Sequence, residues 1–154
     1  MPRRSAVSAA TLTRLHKVAE AQRAGQFVAL CVRLGLPKPE LEYRFHPKRK
    51  WRIDFAWNLI ARRQMVPESP AVSLPPCVYD EPERIALEVN GGIFTQGRHA
   101  RGAGLLKEYE KMNALALAGY RVFHVTPDQL NNYATVQMIG QALGIGIPKL
   151  GQIK

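Results

Sequence analysis

Residues 84–127, RIALEVNGGIFTQGRHARGAGLLKEYEKMNALALAGYRVFHVTP, constrain this chain more than any other stretch. The pattern runs strand, glycine-rich loop, helix, strand. Ile85, Leu87 and Val89 fall on one face of the first strand, and Ala86, Glu88 and Asn90 on the other. Gly91-Gly92 ends it. A helix beginning near Ala103 is expected to bury Leu105, Leu106, Tyr109, Met112 and Ala116, and Gly119 caps its end. YRVFHV then reads as a core strand. A strand–helix–strand unit of this kind implies a right-handed parallel crossover, and it can bury its apolar faces only inside a layered α/β domain. Taken alone, its glycine loop could cradle a nucleotide phosphate.

The segments around this unit extend the layer. From Thr11, the rhythm of Leu12, Leu15, Val18 and Ala19 predicts an amphipathic helix that Gly25 interrupts. Phe27, Leu30, Cys31 and Leu34 predict a second helical stretch, stopped by Gly35, Pro37 and Pro39. LEYRFHP reads as a strand, and HPKRK as a basic turn into a second strand, WRIDFAW. Trp51, Ile53, Phe55 and Trp57 share one face of that strand; Arg52, Asp54 and Ala56 share the other. Residues 58–83 hold five prolines and read as an insertion. Pro127 is expected to open a last helix reaching about Leu143. The expected architecture is a single α/β domain over residues 1–154, helix, three strands, helix, strand and a trailing helix. Residues 1–10 and 145–154 are expected to be flexible.

Composition narrows the partner. The 154 residues carry 22 Lys+Arg against 12 Asp+Glu, a formal charge of +10, which favours a polyanion and above all nucleic acid. No apolar run approaches the roughly 20 residues of a membrane span, and the N-terminus lacks the apolar core of a signal peptide. Cys31 and Cys77 lack metal-site spacing, so reduced structural thiols and a cytoplasmic setting are expected. His16, His46 and His124 show no zinc-like spacing either.

Chemistry concentrates on two strand faces. Asp54 and Glu88 each stand opposite the apolar face of a strand, where carboxylates are disfavoured by propensity. Either one alone would suit a solubilising or edge-protecting role. Together they offer two oxygen ligands for a hard cation such as Mg²⁺ or Mn²⁺, with the Val89 carbonyl as a third. Lys48, Arg49, Lys50 and Arg52 precede the first carboxylate; Arg98, His99, Arg101 and Lys107 follow the second. Acids set among bases suit hydrolysis of a phosphodiester held through its backbone. Glu42, Glu108 and Glu110 are further acidic candidates, with an i,i+3 pairing to Lys111 as the alternative for Glu108.

Asp54 in WRIDFAW and Glu88 in ALEVNGG, in this order of elements, resemble the PD-(D/E)XK nuclease superfamily. The chain is more closely similar to small phage and bacterial endonucleases with an E-V-D/N-G-G strand. There, GRHxRGxG and a helix with D/E-x-E-K-x-N follow, as GRHARGAG and EYEKMN do here. Very-short-patch repair endonucleases are more distant relatives of similar layout. The resemblance spans roughly residues 26–130. It implies an αβββαβ restriction-endonuclease-like core with a mixed sheet flanked by helices and an extra C-terminal helix. It also implies that Asp54 and Glu88 are the metal carboxylates. Asn90 stands where the superfamily carries its lysine, and asparagine can be neither a cation nor a general base. Lys111 is the first candidate to replace that lysine. Lys107, one turn earlier, and His99, an acid or base near neutral pH, are the others.

The implied function is metal-dependent endonucleolytic cleavage of double-stranded or branched DNA, including mismatched DNA, with a homodimer suited to symmetric substrates. A DNA-binding module that keeps the nuclease fold without catalysis is the alternative, and Asn90 is its motive. A basic RNA-binding protein is a third reading, disfavoured because no series of stacking aromatics lies along a sheet face.

Overall fold

The computed structural model describes residues 8–59, 83–91 and 100–148, with the side chains of residue 83 and residues 100–103 outside the description. Among these residues the order is α1 (Ala9–Arg33), β1 (Glu40–Tyr43), β2 (Ile53–Leu59), β3 (Glu83–Val89), α2 (Ala100–Leu117), β4 (Tyr120–Val125) and α3 (Tyr133–Ala142). The chain is therefore α/β, with three helices and a four-stranded mixed open sheet in the order β1-β2-β3-β4. Its backbone groups into two compact units. One takes residues up to Lys38, Val89–Ile93 and Val125 onward; the other takes Pro39–Glu88 and Phe94–His124.

The first unit carries α1 and α3. Ser8 caps α1, its hydroxyl accepting from the Thr11 amide at 3.2 Å. Ser8 caps and Ala9 and Ala10 begin this helix, whereas residues 1–7 of the expected N-terminal arm lie outside the described residues. The helix runs unbroken through Gly25, where two stretches were expected. One glycine costs a helix only about 1 kcal/mol relative to alanine, which the surrounding alanines, glutamine and arginine outweigh. Leu12, Leu15 and Val18 are exposed, so the apolar rhythm of the first turns marks no buried face within this unit. At the other end Gly35 takes a left-handed φ of 87°, and Leu36 N donates to Cys31 O at 2.9 Å, a Schellman stop. Cys31 is buried, and burial pushes its thiol up to about 12, an inert core group. Cys77 lies outside the described residues.

The final helix starts later than Pro127. Thr126 and Gln129 close a separate turn first, with the Gln129 and Leu130 amides donating to Thr126 O, and α3 begins after Asn132 in extended backbone. Residues 145–148, expected to be loose, are held. Tyr133 Oη donates to Pro148 O at 2.6 Å. Ile147 also lies so close to Gly140 that a Cβ there would meet it at 2.5 Å.

The second unit carries the sheet and α2. β1 and β2 pair antiparallel, as do β2 and β3, the latter in the register Phe55↔Leu87, Ala56↔Ala86, Trp57↔Ile85, Asn58↔Arg84 and Leu59↔Glu83. Pairing thus extends to both ends of the expected 58–83 insertion, and its remainder, 60–82, lies outside the described residues. β2 begins at Ile53, not Trp51. Phe55, Trp57, Ile85 and Leu87 are buried on one face, as alternation predicts. On the other face Ala56 and Ala86 are fully buried, in a cluster with Leu115 that Met112 and Ala118 extend. Two methyl groups side by side leave a shallow seat for a helix, and α2 takes it.

The buried edge of α2 keeps Met112 of the expected set and otherwise differs from it. Leu105, Leu106 and Tyr109 are 48%, 65% and 54% exposed, and Ala116 is exposed too. The edge toward the sheet is Lys111, Met112, Leu115 and Ala118. Apolar residues occur on several sides of this helix, so periodicity alone does not fix its rotation. The seat over the alanines and the pairing of Lys111 do.

Candidate functional site

Along the face that receives α2, the β2–β3 hairpin presents three cross-strand rows. Asn58 opposes Arg84, Ala56 opposes Ala86, and the same register carried one step further sets Asp54 opposite Glu88. Directly opposed side chains lie about 5 Å apart at Cβ, so the two carboxylates form one pair. The register that buries Ile85 and Leu87 on the far face forces this, because a slip of one residue would turn every side chain over.

Helix α2 runs along these rows. Leu115 packs on the alanines, and one turn earlier Lys111 Nζ donates to Glu88 Oε2 at 2.8 Å. Both partners are shielded, their side chains 15% and 7% exposed. The other oxygen, Glu88 Oε1, is buried and finds no hydrogen-bond partner among the described residues. Burial pushes the Glu88 carboxyl up from 4.5 to about 7. Lys111 opposes that rise through its hydrogen bond and charge, while the negative charges of Asp54 and Glu108 add to it. A buried acceptor without a donor costs roughly 1–3 kcal/mol, so Oε1 is an atom that a proton or a cation would satisfy.

Among the described residues, no group of three or more His, Cys, Asp or Glu gathers closely enough to hold a metal. Two carboxylates nevertheless fit Mg²⁺ or Mn²⁺, which bind through one or two carboxylates plus waters and substrate phosphate. Asp54 and Glu88 would be the donor pair, and the orphaned Oε1 is the observation that fits them to a cation. Val89 follows Glu88 as the last residue of β3, and Asn90, half-buried, donates its amide to Val125 O at 2.8 Å.

The other sequence candidates divide clearly. Lys48, Arg49, Lys50 and Arg52 all stand exposed on the β1–β2 connection. His46 shapes that connection, its Nδ1 accepting from the Lys48 and Arg49 amides at 3.1 and 3.0 Å. The Arg49 guanidinium lies 5.2 Å from the Trp51 ring centre and 3.9 Å from Glu110. Arg52 pairs with Glu42 at 3.5 Å. Glu42 and Glu110 thus have basic partners of their own. Glu108 is exposed, and Lys111 pairs with Glu88 in preference to the i,i+3 partner. Lys107 is exposed on α2. Arg98 and His99 lie outside the described residues; Arg101 belongs to α2 by its backbone, and its side chain is outside the description.

One cluster escaped the sequence reading. Tyr120 Oη donates to Asn58 Oδ1 at 2.6 Å, Asn58 Nδ2 to Glu40 Oε1 at 2.9 Å, and Arg84 Nη1 to Ala118 O at 2.7 Å. The signal was available in the polar pair Asn58 and Arg84, two residues beyond the alanines on each strand. No family model, curated protein or solved structure matches this chain.

Proposed function

We propose that this protein is a Mg²⁺- or Mn²⁺-dependent DNA endonuclease with a restriction-endonuclease-like core, related to the PD-(D/E)XK nucleases. The observation that carries the reading is the buried 2.8 Å contact from Lys111 to Glu88, in the cross-strand row that Asp54 completes. It supports Lys111 as the substitute for the lysine that Asn90 displaces.

In this reading Asp54 and Glu88 hold the cation, with the Val89 carbonyl as a third donor. Such a cation supplies charge neutralisation at the phosphate and acidifies a water for in-line attack. Lys111 spends one N–H on Glu88 and keeps two others for a phosphate oxygen or the attacking water. Its positive charge beside the scissile phosphate offsets charge that develops there. Hydrolysis then proceeds by water, without a covalent intermediate. Lys48, Arg49, Lys50, Arg52 and Lys107, with Arg98 and Arg101, bind backbone phosphates of double-stranded or branched DNA. His99 is held as a further acid or base. The chain offers no helix long and apolar enough to cross a membrane among the described residues, and we infer a cytoplasmic setting in a bacterium or phage-infected cell.

Purified protein incubated with supercoiled, branched and mismatched DNA tests this. Cleavage is expected only with Mg²⁺ or Mn²⁺. Asp54→Ala should lower the rate about a thousandfold, some 4 kcal/mol of barrier. Equal background from wild type and Asp54→Ala, with or without metal, overturns the enzyme reading. Salt-dependent DNA binding without turnover would instead establish a binding module.

A further inference from the structure

We propose that Lys111 sets the metal preference of the site, by occupying one Glu88 oxygen and leaving the carboxylate a single oxygen to offer. This rests on the metal-site reading above and adds a specificity-determining role to it. The two Glu88 oxygens are unequal in the structure. Oε2 accepts from Lys111 Nζ at 2.8 Å, and Oε1 is buried without a hydrogen-bond partner among the described residues. Burial makes the inequality durable. The pair is shielded on both sides, at 15% and 7% side-chain exposure, so neither solvent nor an alternative rotamer readily releases Oε2. α2 is also seated through Leu115 on Ala56 and Ala86 one turn away, which anchors the stem of Lys111 relative to β3.

One oxygen and two oxygens suit different ions. Ca²⁺ takes six to eight oxygens in flexible geometry and can grip a carboxylate through one oxygen or through both. Mg²⁺ and Mn²⁺ suit octahedral oxygen sites, and Mg²⁺ retains waters and is commonly held by one or two carboxylates. A carboxylate with one oxygen held by an ammonium meets the smaller ions' needs and disfavours the two-oxygen grip open to the larger ion. Exclusion of Ca²⁺ therefore lies in a lysine that touches a ligand, not in the ligand set itself.

Calorimetric titration of the full chain with Mn²⁺ and with Ca²⁺, without DNA, tests this. The quantity read is the ratio of the two affinities. The ratio cancels whatever loss of the lysine does to Glu88 itself, since that change weighs on both ions alike. Wild type is expected to prefer Mn²⁺. Lys111→Met should shift the ratio toward Ca²⁺ by about tenfold or more. Lys111→Arg, which keeps a cationic donor on Oε2, should hold the wild-type ratio. Asp54→Asn should weaken both ions together. Lys111→Gln serves in place of the Met variant if thermal melting shows that the latter does not fold. An unmoved ratio in the Met and Gln variants, with both ions still binding, overturns the role of Lys111 and leaves the metal site standing. Failure of wild type to bind either ion overturns both.

Discussion

The two ends of the β2–β3 hairpin carry the same kind of cross-strand polar row and treat it differently. At one end Asn58 and Arg84 are drawn into contacts with Tyr120, Glu40 and the Ala118 carbonyl, and each of these donors meets an acceptor within 2.9 Å. At the other end the Asp54 charge acts on Glu88, and one Glu88 oxygen is buried with no hydrogen-bond partner among the described residues. The satisfied row lies at the rim, where Arg84 is exposed and Asn58 half-buried, whereas Glu88 is buried beneath Lys111 of α2. The first row shows that this chain can satisfy polar groups at the edge of its core. Retaining an unsatisfied carboxylate a few residues away, beside a second negative charge, is a departure from what stability favours, and such departures concentrate at functional sites.

The largest effect that would sharpen this contrast is on the pH dependence of stability. The folded Glu88 carboxyl sits at about 7 against an ordinary 4.5, so folding favours its protonated form. Its contribution is fully present below pH 4.5 and is lost as pH rises through 7. Wild type should lose roughly 3 kcal/mol between pH 4.5 and 8 that Glu88→Gln does not lose, measured by urea unfolding at each pH. Parallel pH curves for the two proteins would break the contrast.

A smaller effect belongs to the satisfied end. Tyr120→Phe removes the donor to Asn58 and should cost about 1–2 kcal/mol. That cost should be the same at pH 5 and pH 8, because burial holds the phenol up near 12, far from either. Metal binding and DNA cleavage should be unchanged in this variant; a fall in either would show that the two rows are not separable. The smallest effect on stability is expected on the β1–β2 connection. Arg49→Ala, an exposed group with a loose 3.9 Å partner, should change unfolding by no more than about 0.5 kcal/mol. In filter binding the same variant should lower the salt dependence of DNA affinity by about one phosphate's worth.

The two carboxylates were legible in the sequence because strands repeat every two residues. Once Phe55 and Trp57 take one face of β2, alternation sends Asp54 to the face of Ala56, and the same holds for Glu88 between Leu87 and Val89. The order of helices and strands was legible for a related reason, since Gly35 and Gly119 stop helices wherever they fall at a helix end. The rotation of α2 was not legible. Leu105, Leu106, Tyr109 and Leu117 advertise a buried face that the structure leaves open, and the face in use includes a lysine. Hydrophobic periodicity cannot see a buried cation whose partner is 23 residues away in sequence. The turn at Thr126–Leu130 was missed because Pro127 suits a turn's second position as well as a helix's first.

Ala56 and Ala86 carry a consequence beyond their place in the core. They act as a spacer whose thickness fixes how far α2 stands off the sheet, and Lys111 has a fixed reach. Enlarging either side chain would lift the helix as a shim lifts a lever, and the ammonium would withdraw from Glu88 although no residue of the site had changed. The chemistry at one end of the hairpin is thus calibrated by two of the least reactive side chains in the protein.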